Sequence, residues 1–359
     1  MKPLVLAAAF ALGLSACTAA AQSPTNNLPP DAIYVDPAAA GWNASALAGA
    51  VDYVAGQKST GFVVIQDDHI IAERYWPLAD DAAVFRANFV HGTAPDGALL
   101  EDVASQQKSF VAILIGVGVD KMLIDIEKPV SAYAGAGWSK ASPEQEARIT
   151  VRHLMEMNSG LKENLAYEAQ PGTKFFYNTP AYAILKKVLE GASKQTLDAV
   201  TTAWLTAPAG MKDTSWRKRP GAFSDVGNPT GLVTTPRDVA RMGQLVLDGG
   251  KAADGTRVIS KTQLDALFKR TSTNPSYGHL WWLNGGSFSL SPGAAISRSE
   301  GQLIPAAPAD LVTAQGAQDR KLYVVPSRKL IVVRTGQATP DRDFNQQLWT
   351  RLMQAVPKK

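Results

Sequence analysis

Apolar and polar positions recur along the chain in blocks that predict its elements. From Trp42 to Ala55 the apolar residues Leu47, Val51 and Val54 return at helical spacing, so the fold opens with a helix. Two apolar-rich runs, Gly61 to Gln66 and His69 to Tyr75, are parted by Asp67-Asp68 and predict a β-hairpin. A second hairpin is predicted near the other end, with Lys321 to Val325 and Leu330 to Arg334 on either side of Pro326-Ser327-Arg328-Lys329. Asp341 to about Val356 then forms an amphipathic helix through Phe344, Leu348, Leu352 and Met353. Between the hairpins, Ser109 to Met122 is nearly all apolar and predicts a buried helix. Thr150 to Met157, Pro180 to Glu190, Leu197 to Leu205 and Pro236 to Leu247 also have helical character. Strands at both ends with helices between them predict an α+β fold, an α/β sandwich. Its antiparallel sheet is built from both chain ends and flanked by helices, with a helical subdomain inserted at about residues 121–234.

Composition narrows the class. The 359 residues are 45% hydrophobic and 19% charged, which excludes a disordered chain. Beyond the N-terminus no uncharged apolar run reaches the roughly 20 residues that span a bilayer, which excludes a polytopic membrane protein. The formal charge of +4 comes from scattered residues. The short clusters Arg217-Lys218-Arg219, Lys186-Lys187 and Lys358-Lys359 are not interleaved with aromatics. They read as solvated surface, and no nucleic-acid partner is expected.

The first fourteen residues have a short cationic start and an apolar stretch, the layout of a secretory signal. They lead into Leu14-Ser15-Ala16-Cys17, which resembles a bacterial lipoprotein box; Cys17 is the only cysteine in the chain. The resemblance implies a signal peptide over residues 1–16, lipidation of Cys17 and a flexible tether over 17–36 before a catalytic domain at 37–359. Thr18 after the cysteine then favours the periplasmic side of the outer membrane, with the lipid as the only membrane contact. An ordinary signal peptide cleaved near Ala19 to Ala21 is the alternative.

Metal chemistry has little support: none of His69, His91, His153 and His279 has a zinc-ligand spacing to another histidine or to the cysteine. Neither a metal nor a cofactor is expected. G-x-S-x-G and the glycine-rich phosphate loops are missing. S-x-x-K occurs three times, beginning at Ser105, Ser159 and Ser215, where about one match is expected by chance. Ser159 follows a helix end and adjoins Gly160, a C-terminal stop. Ser215 lies in a polar stretch that runs into Pro220-Gly221 and reads as a surface loop. Ser105 alone leads into the buried helix. There its hydroxyl and the Lys108 amine, at i and i+3, share a face. The helix N-terminus favours developing negative charge, and a lysine in a semi-apolar pocket can take the serine proton. From the tetrad alone, Ser105 as a simple N-cap beside a solvated Lys108 stays open.

Longer stretches add a resemblance. These are Ala104-Ser105-Gln106-Gln107-Lys108-Ser109-Phe110, Thr150 to Leu161, Pro171-Gly172-Thr173-Lys174-Phe175-Phe176-Tyr177, Gly231 to Gly243 and Tyr277-Gly278-His279-Leu280-Trp281-Trp282. With the second hairpin they resemble, in order, the serine β-lactamase and penicillin-binding family. The likeness is to class C-like β-lactamases and their esterase and 6-aminohexanoate-dimer hydrolase relatives. It implies Ser105 as nucleophile, Lys108 as its activator and Tyr177 as the tyrosine of the second motif, its phenol near the Lys108 cation and stabilised as phenolate. The backbone N–H groups of Ser105 and Ala317 are implied as oxyanion hole, and Ser159 as part of a structural Met-x-Ser-Gly-Leu turn.

Two departures from the family pattern bear on the substrate. The family's Tyr-x-Asn reads Tyr177-Asn178-Thr179, so Thr179 replaces an amide that would hold a substrate's acylamino group. Its Lys-Thr-Gly or His-Thr-Gly reads Ala314-Gln315-Gly316, which removes a cation that would meet a substrate carboxylate. Thr179, Gln315, Gly316 and Trp281 are the expected substrate contacts, although packing is an equal reading for Trp281, Trp282 and Tyr277. The leading function is a lipid-anchored serine hydrolase of small ester or amide substrates. An active β-lactamase or D-Ala peptidase, and a silent binder of cell-wall peptide, are the alternatives.

Overall fold

The computed structural model describes residues 33–221, 227–292 and 296–358. Its larger sheet contains β1 (Ser59–Gln66), β2 (His69–Tyr75), β7 (Trp282–Leu283), β10 (Val312–Gly316), β11 (Arg320–Val325) and β12 (Leu330–Gly336), in the order β2-β1-β12-β11-β10-β7. Every pairing is antiparallel. Both expected hairpins are present, and the chain ends meet in the middle, where Val63 pairs with Val333 and Val64 with Val332. Asp67 and Asp68 turn the first hairpin with φ of 48° and 67°, the left-handed pair that matches the twist of a two-residue connection.

Successive side chains enter two different cores. Phe62, Val64, Tyr323, Val325 and Val332 pack under α1 (Ala44–Ala55) and the C-terminal helix. Val63, Leu322, Val324, Ile331 and Val333 pack on the helical body. A sheet covered on both faces explains why these strands read as continuous apolar runs rather than as alternation.

The helices between are α2 (Ala83–Phe89), α3 (Gln107–Asp120), α4 (Ser131–Ala134), α5 (Pro143–Glu146), α6 (Val151–Met155), α7 (Thr179–Ser193), α8 (Leu197–Thr201), α9 (Pro236–Leu247) and α10 (Lys261–Leu267); α11 (Phe344–Ala355) closes the chain. In α3, Phe110 to Ile115 are all fully buried, as the apolar run predicts. After α8 the helix widens, with Ala207 N–H donating to Thr202 O at 3.0 Å.

A second sheet differs from expectation. β3 (Val90–Thr93), β4 (Leu99–Asp102), β5 (Ser215–Lys218) and β6 (Thr230–Thr234) pair in the order β3-β4-β6-β5. The stretch at Ser215 is therefore a strand, with Ser215 opposite Val233, and not a surface loop. Residues 33–36, the end of the expected tether, are already fastened to the sheet edge: Ile70 N–H donates to Ile33 O at 2.8 Å and Val35 N–H to Ile70 O at 3.3 Å. Cys17 and the signal layout lie outside the described residues.

Candidate active site

Ser105, the candidate nucleophile, sits just past the end of β4. Val103 N–H donates to Leu232 O at 3.0 Å, and the chain then makes one tight turn, Ala104–Gln106, before α3. Ala104 takes φ of 49°, a left-handed conformation that a non-glycine residue holds only when its surroundings impose it. Asp102 imposes it: its Oδ1 accepts the Ala104 N–H at 2.8 Å.

Lys108 is one turn further on and 2% exposed. Its Nζ lies 2.9 Å from Ser105 Oγ, to which it donates when protonated, and 3.3 Å from Thr179 Oγ1. The ammonium also sits over the rings of Tyr177 and Tyr182, 4.8 and 4.7 Å from their centroids. Burial first, and the Arg219 charge second, bring its pKa down from 10.5 to about 7. Near neutral pH a large share of the amine is therefore free to accept the serine proton. The solvated Lys108 left open by the tetrad is not what the fold contains.

Tyr177 packs edge-on to Tyr277 at 6.2 Å and stacks with Trp282 at 5.9 Å. Its phenol hydrogen-bonds with Ser105, but burial outweighs that contact and pushes its pKa up to about 12. Burial thus favours the protonated phenol over the expected phenolate, and the Lys108 amine lies over the ring. Thr179 stands beside the same amine. It is the first residue of α7, after Asn178 caps the helix by accepting Ala181 N–H at 3.0 Å. Its part-exposed hydroxyl lies 3.3 Å from Lys108 Nζ.

A cleft of about 510 Å³ opens on Ser105, with Tyr177, Trp282, Gln315, Gly316, Ala317 and Lys321 among its walls. The β8 (Phe288–Leu290) and β9 (Arg298–Glu300) hairpin contributes Ser289, Leu290 and Ser299. Gly316 brings β10 against the serine turn: a Cβ there would lie 2.2 Å from Val103 O and 3.3 Å from Gln106 N. That close approach puts Ala317 and Ser105 on one wall. Ala314, where the family has a cation, is fully buried in the helical-side core. A different cation occupies the cleft. Lys321, opposite Gln315 in the β10–β11 register, donates to Gln315 Oε1 at 3.0 Å and lies 3.5 Å from Asp319.

Trp281 is corrected from cleft to core. It is fully buried and edge-on to Phe268 at 5.3 Å, while Trp282 lines the cleft. Ser159 is buried in its turn, its Oγ accepting Leu161 N–H at 3.4 Å. The helix stop before it is left-handed Met157, at φ of 56°, rather than Gly160. Two basic residues expected on the surface are interior. Lys186 donates to Asn228 Oδ1 at 2.6 Å and Thr230 O at 2.7 Å, and Arg219 forms a buried pair with Asp102. Trp282, weighed equally as cleft or packing residue, lines the cleft, whereas sequence reasoning missed Asp102, Arg219 and Tyr182, which only the strand register or a long-range pairing could reveal.

The sandwich and the Ser105–Lys108 contact define a β-lactamase/transpeptidase-like chain. The Beta-lactamase family model matches residues 35–356. The chain belongs to that family, the β-lactamase-related serine hydrolases. No curated protein matches it. Among solved structures, a Bacteroides dorei chain assigned as a β-lactamase is 14% identical, with a TM-score of 0.64 over 88% of this chain and 98% of that one. A Bacillus anthracis chain assigned as a 6-aminohexanoate-dimer hydrolase is 17% identical, with a TM-score of 0.61 over 84% and 80%. A family VIII carboxylesterase is 12% identical, with a TM-score of 0.60 over 89% and 98%. At these identities the likeness establishes the fold.

Proposed function

We propose that the protein hydrolyses small carboxylic esters or amides through an acyl-enzyme on Ser105. One observation carries the reading: a buried Lys108 amine, with pKa near 7, lies 2.9 Å from Ser105 Oγ. Lys108 Nζ takes the Oγ proton as Oγ bonds to the substrate carbonyl carbon. The carbonyl oxygen becomes an oxyanion that the N–H groups of Ser105 and Ala317 stabilise. The protonated Tyr177 phenol gives its proton to the departing alcohol or amine, and Lys108 returns one to Tyr177. Water then attacks the acyl carbon, and the carbonyl–Oγ bond breaks to release the acid and restore Ser105. The carboxylesterase and 6-aminohexanoate-dimer hydrolase names among the structural relatives agree with this substrate class.

Labelling with a fluorophosphonate, followed by mass spectrometry, tests it. The adduct is expected on Ser105 and is retained in Ser159→Ala and Ser215→Ala. Activity in folded Ser105→Ala would falsify the assignment, and a folded chain that takes no label is a silent binder. A second reading, an active β-lactamase or D-Ala peptidase, is favoured by the Lys321 cation on the cleft wall. The box at Leu14–Cys17 supports secretion and lipid anchoring at Cys17, on the periplasmic side of the outer membrane. Equal solubility of wild type and Cys17→Ala on fractionation rejects the anchor.

A further inference from the structure

Two carboxamides on the cleft wall are held the same way round. Lys321 Nζ donates to Gln315 Oε1 at 3.0 Å, so the oxygen of that amide is taken by a cation. A second amide repeats the pattern, with Asn284 Nδ2 donating to Gln302 Oε1 at 3.2 Å. Asn284 is fully buried and its own oxygen accepts Ile304 N–H at 2.8 Å, so the end that meets Gln302 is a donor. Both glutamines are half-buried and line the cleft. Neither amide nitrogen has a hydrogen-bond partner among the described residues. An amide whose oxygen is occupied has N–H groups left to give. The polar wall therefore presents donors, and Trp282, Leu290 and Leu303 set apolar surface beside them. The charge of Lys321 is already committed. The residue is 5% exposed, and its ammonium is bonded to Gln315 and 3.5 Å from Asp319. Turning it to a ligand would leave both partners unpaired.

We propose that the cleft selects substrates whose acyl part carries a second, uncharged carbonyl oxygen, to which Gln315 and Gln302 donate. In chemical class these are diesters or ester-amides of dicarboxylic acids. Lys321 and Asn284 are positioning residues: each fixes which end of its glutamine amide is left for the substrate. The inference rests on the acyl-enzyme reading and deepens it by naming the substrate. A contact on the acyl part serves both half-reactions, because that part stays on Ser105 after the alcohol or amine has left. A wall of paired amides also rejects a plain alkyl chain, which would bury their N–H groups without a partner.

The test compares p-nitrophenyl heptanoate, methyl p-nitrophenyl glutarate and p-nitrophenyl hydrogen glutarate, each corrected for its hydrolysis by hydroxide. The acyl chains are similar in length and end in an alkyl group, a neutral ester carbonyl or a carboxylate. In wild type the methyl glutarate should exceed the heptanoate in kcat/KM by about tenfold, chiefly through KM, and should exceed the hydrogen glutarate as well. Gln315→Glu keeps the size and the Lys321 contact but has no N–H to give, and should bring the ratio of methyl glutarate to heptanoate down to about one. Lys321→Met frees the amide to turn and should lower the same ratio about threefold or more; Lys321→Arg, which restores a donor to Gln315, should recover it. An equal loss for all three esters in Lys321→Met makes that residue merely structural and overturns its positioning role. A wild-type ratio near one, or a preference for the hydrogen glutarate that Lys321→Met abolishes, overturns the inference while fluorophosphonate labelling of Ser105 keeps the hydrolase reading. Absence of both turnover and Ser105 labelling in wild type overturns the hydrolase reading and the inference with it.

Discussion

Replacing Lys108 by Met should abolish turnover and make the protein more stable. Lys108 costs the fold free energy because its ammonium is buried among Tyr177, Tyr182 and Thr179, with no carboxylate in contact among the described residues. The fall in pKa from 10.5 to about 7 corresponds to roughly 5 kcal/mol, at about 1.4 kcal/mol per unit. Against it stand the contacts to Ser105 and Thr179, worth about 1 kcal/mol each. Methionine fills similar space and packs well on aromatic rings. A net gain of about 2–4 kcal/mol near neutral pH is expected. Its pH dependence has a definite sign. Below about pH 7 the lysine is protonated in folded and unfolded chains alike, so the full penalty applies. Between about 7 and 10.5 the unfolded chain keeps a proton that the folded one has lost, so wild-type stability rises with pH. By about pH 9.5 the advantage of Lys108→Met should shrink by several kcal/mol. Urea denaturation of both proteins at about pH 6.5, 8 and 9.5 measures this directly. A variant less stable than wild type at neutral pH, or a difference that stays flat with pH, refutes the reasoning.

Two further outcomes are expected at the cleft. Neutral p-nitrophenyl esters should exceed nitrocefin in kcat/KM by roughly tenfold, about 1.4 kcal/mol, because Ala314 is buried and Lys321 is already engaged by Gln315 and Asp319. Nitrocefin turnover equal to the esters', and lost in Lys321→Met, would instead make Lys321 the carboxylate partner. Gly316→Ala forces a Cβ against Val103 O and should displace Ala317. A fall of about 100-fold or more in kcat is expected from a lost oxyanion donor, with a smaller change in KM. A loss confined to KM would take Ala317 out of the oxyanion hole.

Which parts of this fold are readable from sequence depends on how each part is stabilised. The terminal hairpins and α3 announce themselves because burial on two faces demands uninterrupted apolar residues, as in Phe110 to Ile115 or Leu330 to Val333. The β3-β4-β6-β5 sheet escapes notice because its strands are four or five residues long. Polar residues such as Glu101 and Arg217 sit inside them, so no alternation builds up. At the site, Ser105 and Lys108 are close in sequence and could be paired by helical geometry alone. Asp102 and Arg219 are 117 positions apart, and each looks like an ordinary surface charge until β4, β6 and the chain after β5 bring them together. Neighbours in sequence are also easily confused when one residue of difference reverses direction: Trp281 enters the core while Trp282 lines the cleft. The legible part of the site is thus the pair that helical spacing joins, Ser105 and Lys108. The Asp102–Arg219 pair and the cleft walls are assembled by long-range pairing and had to be read from the fold.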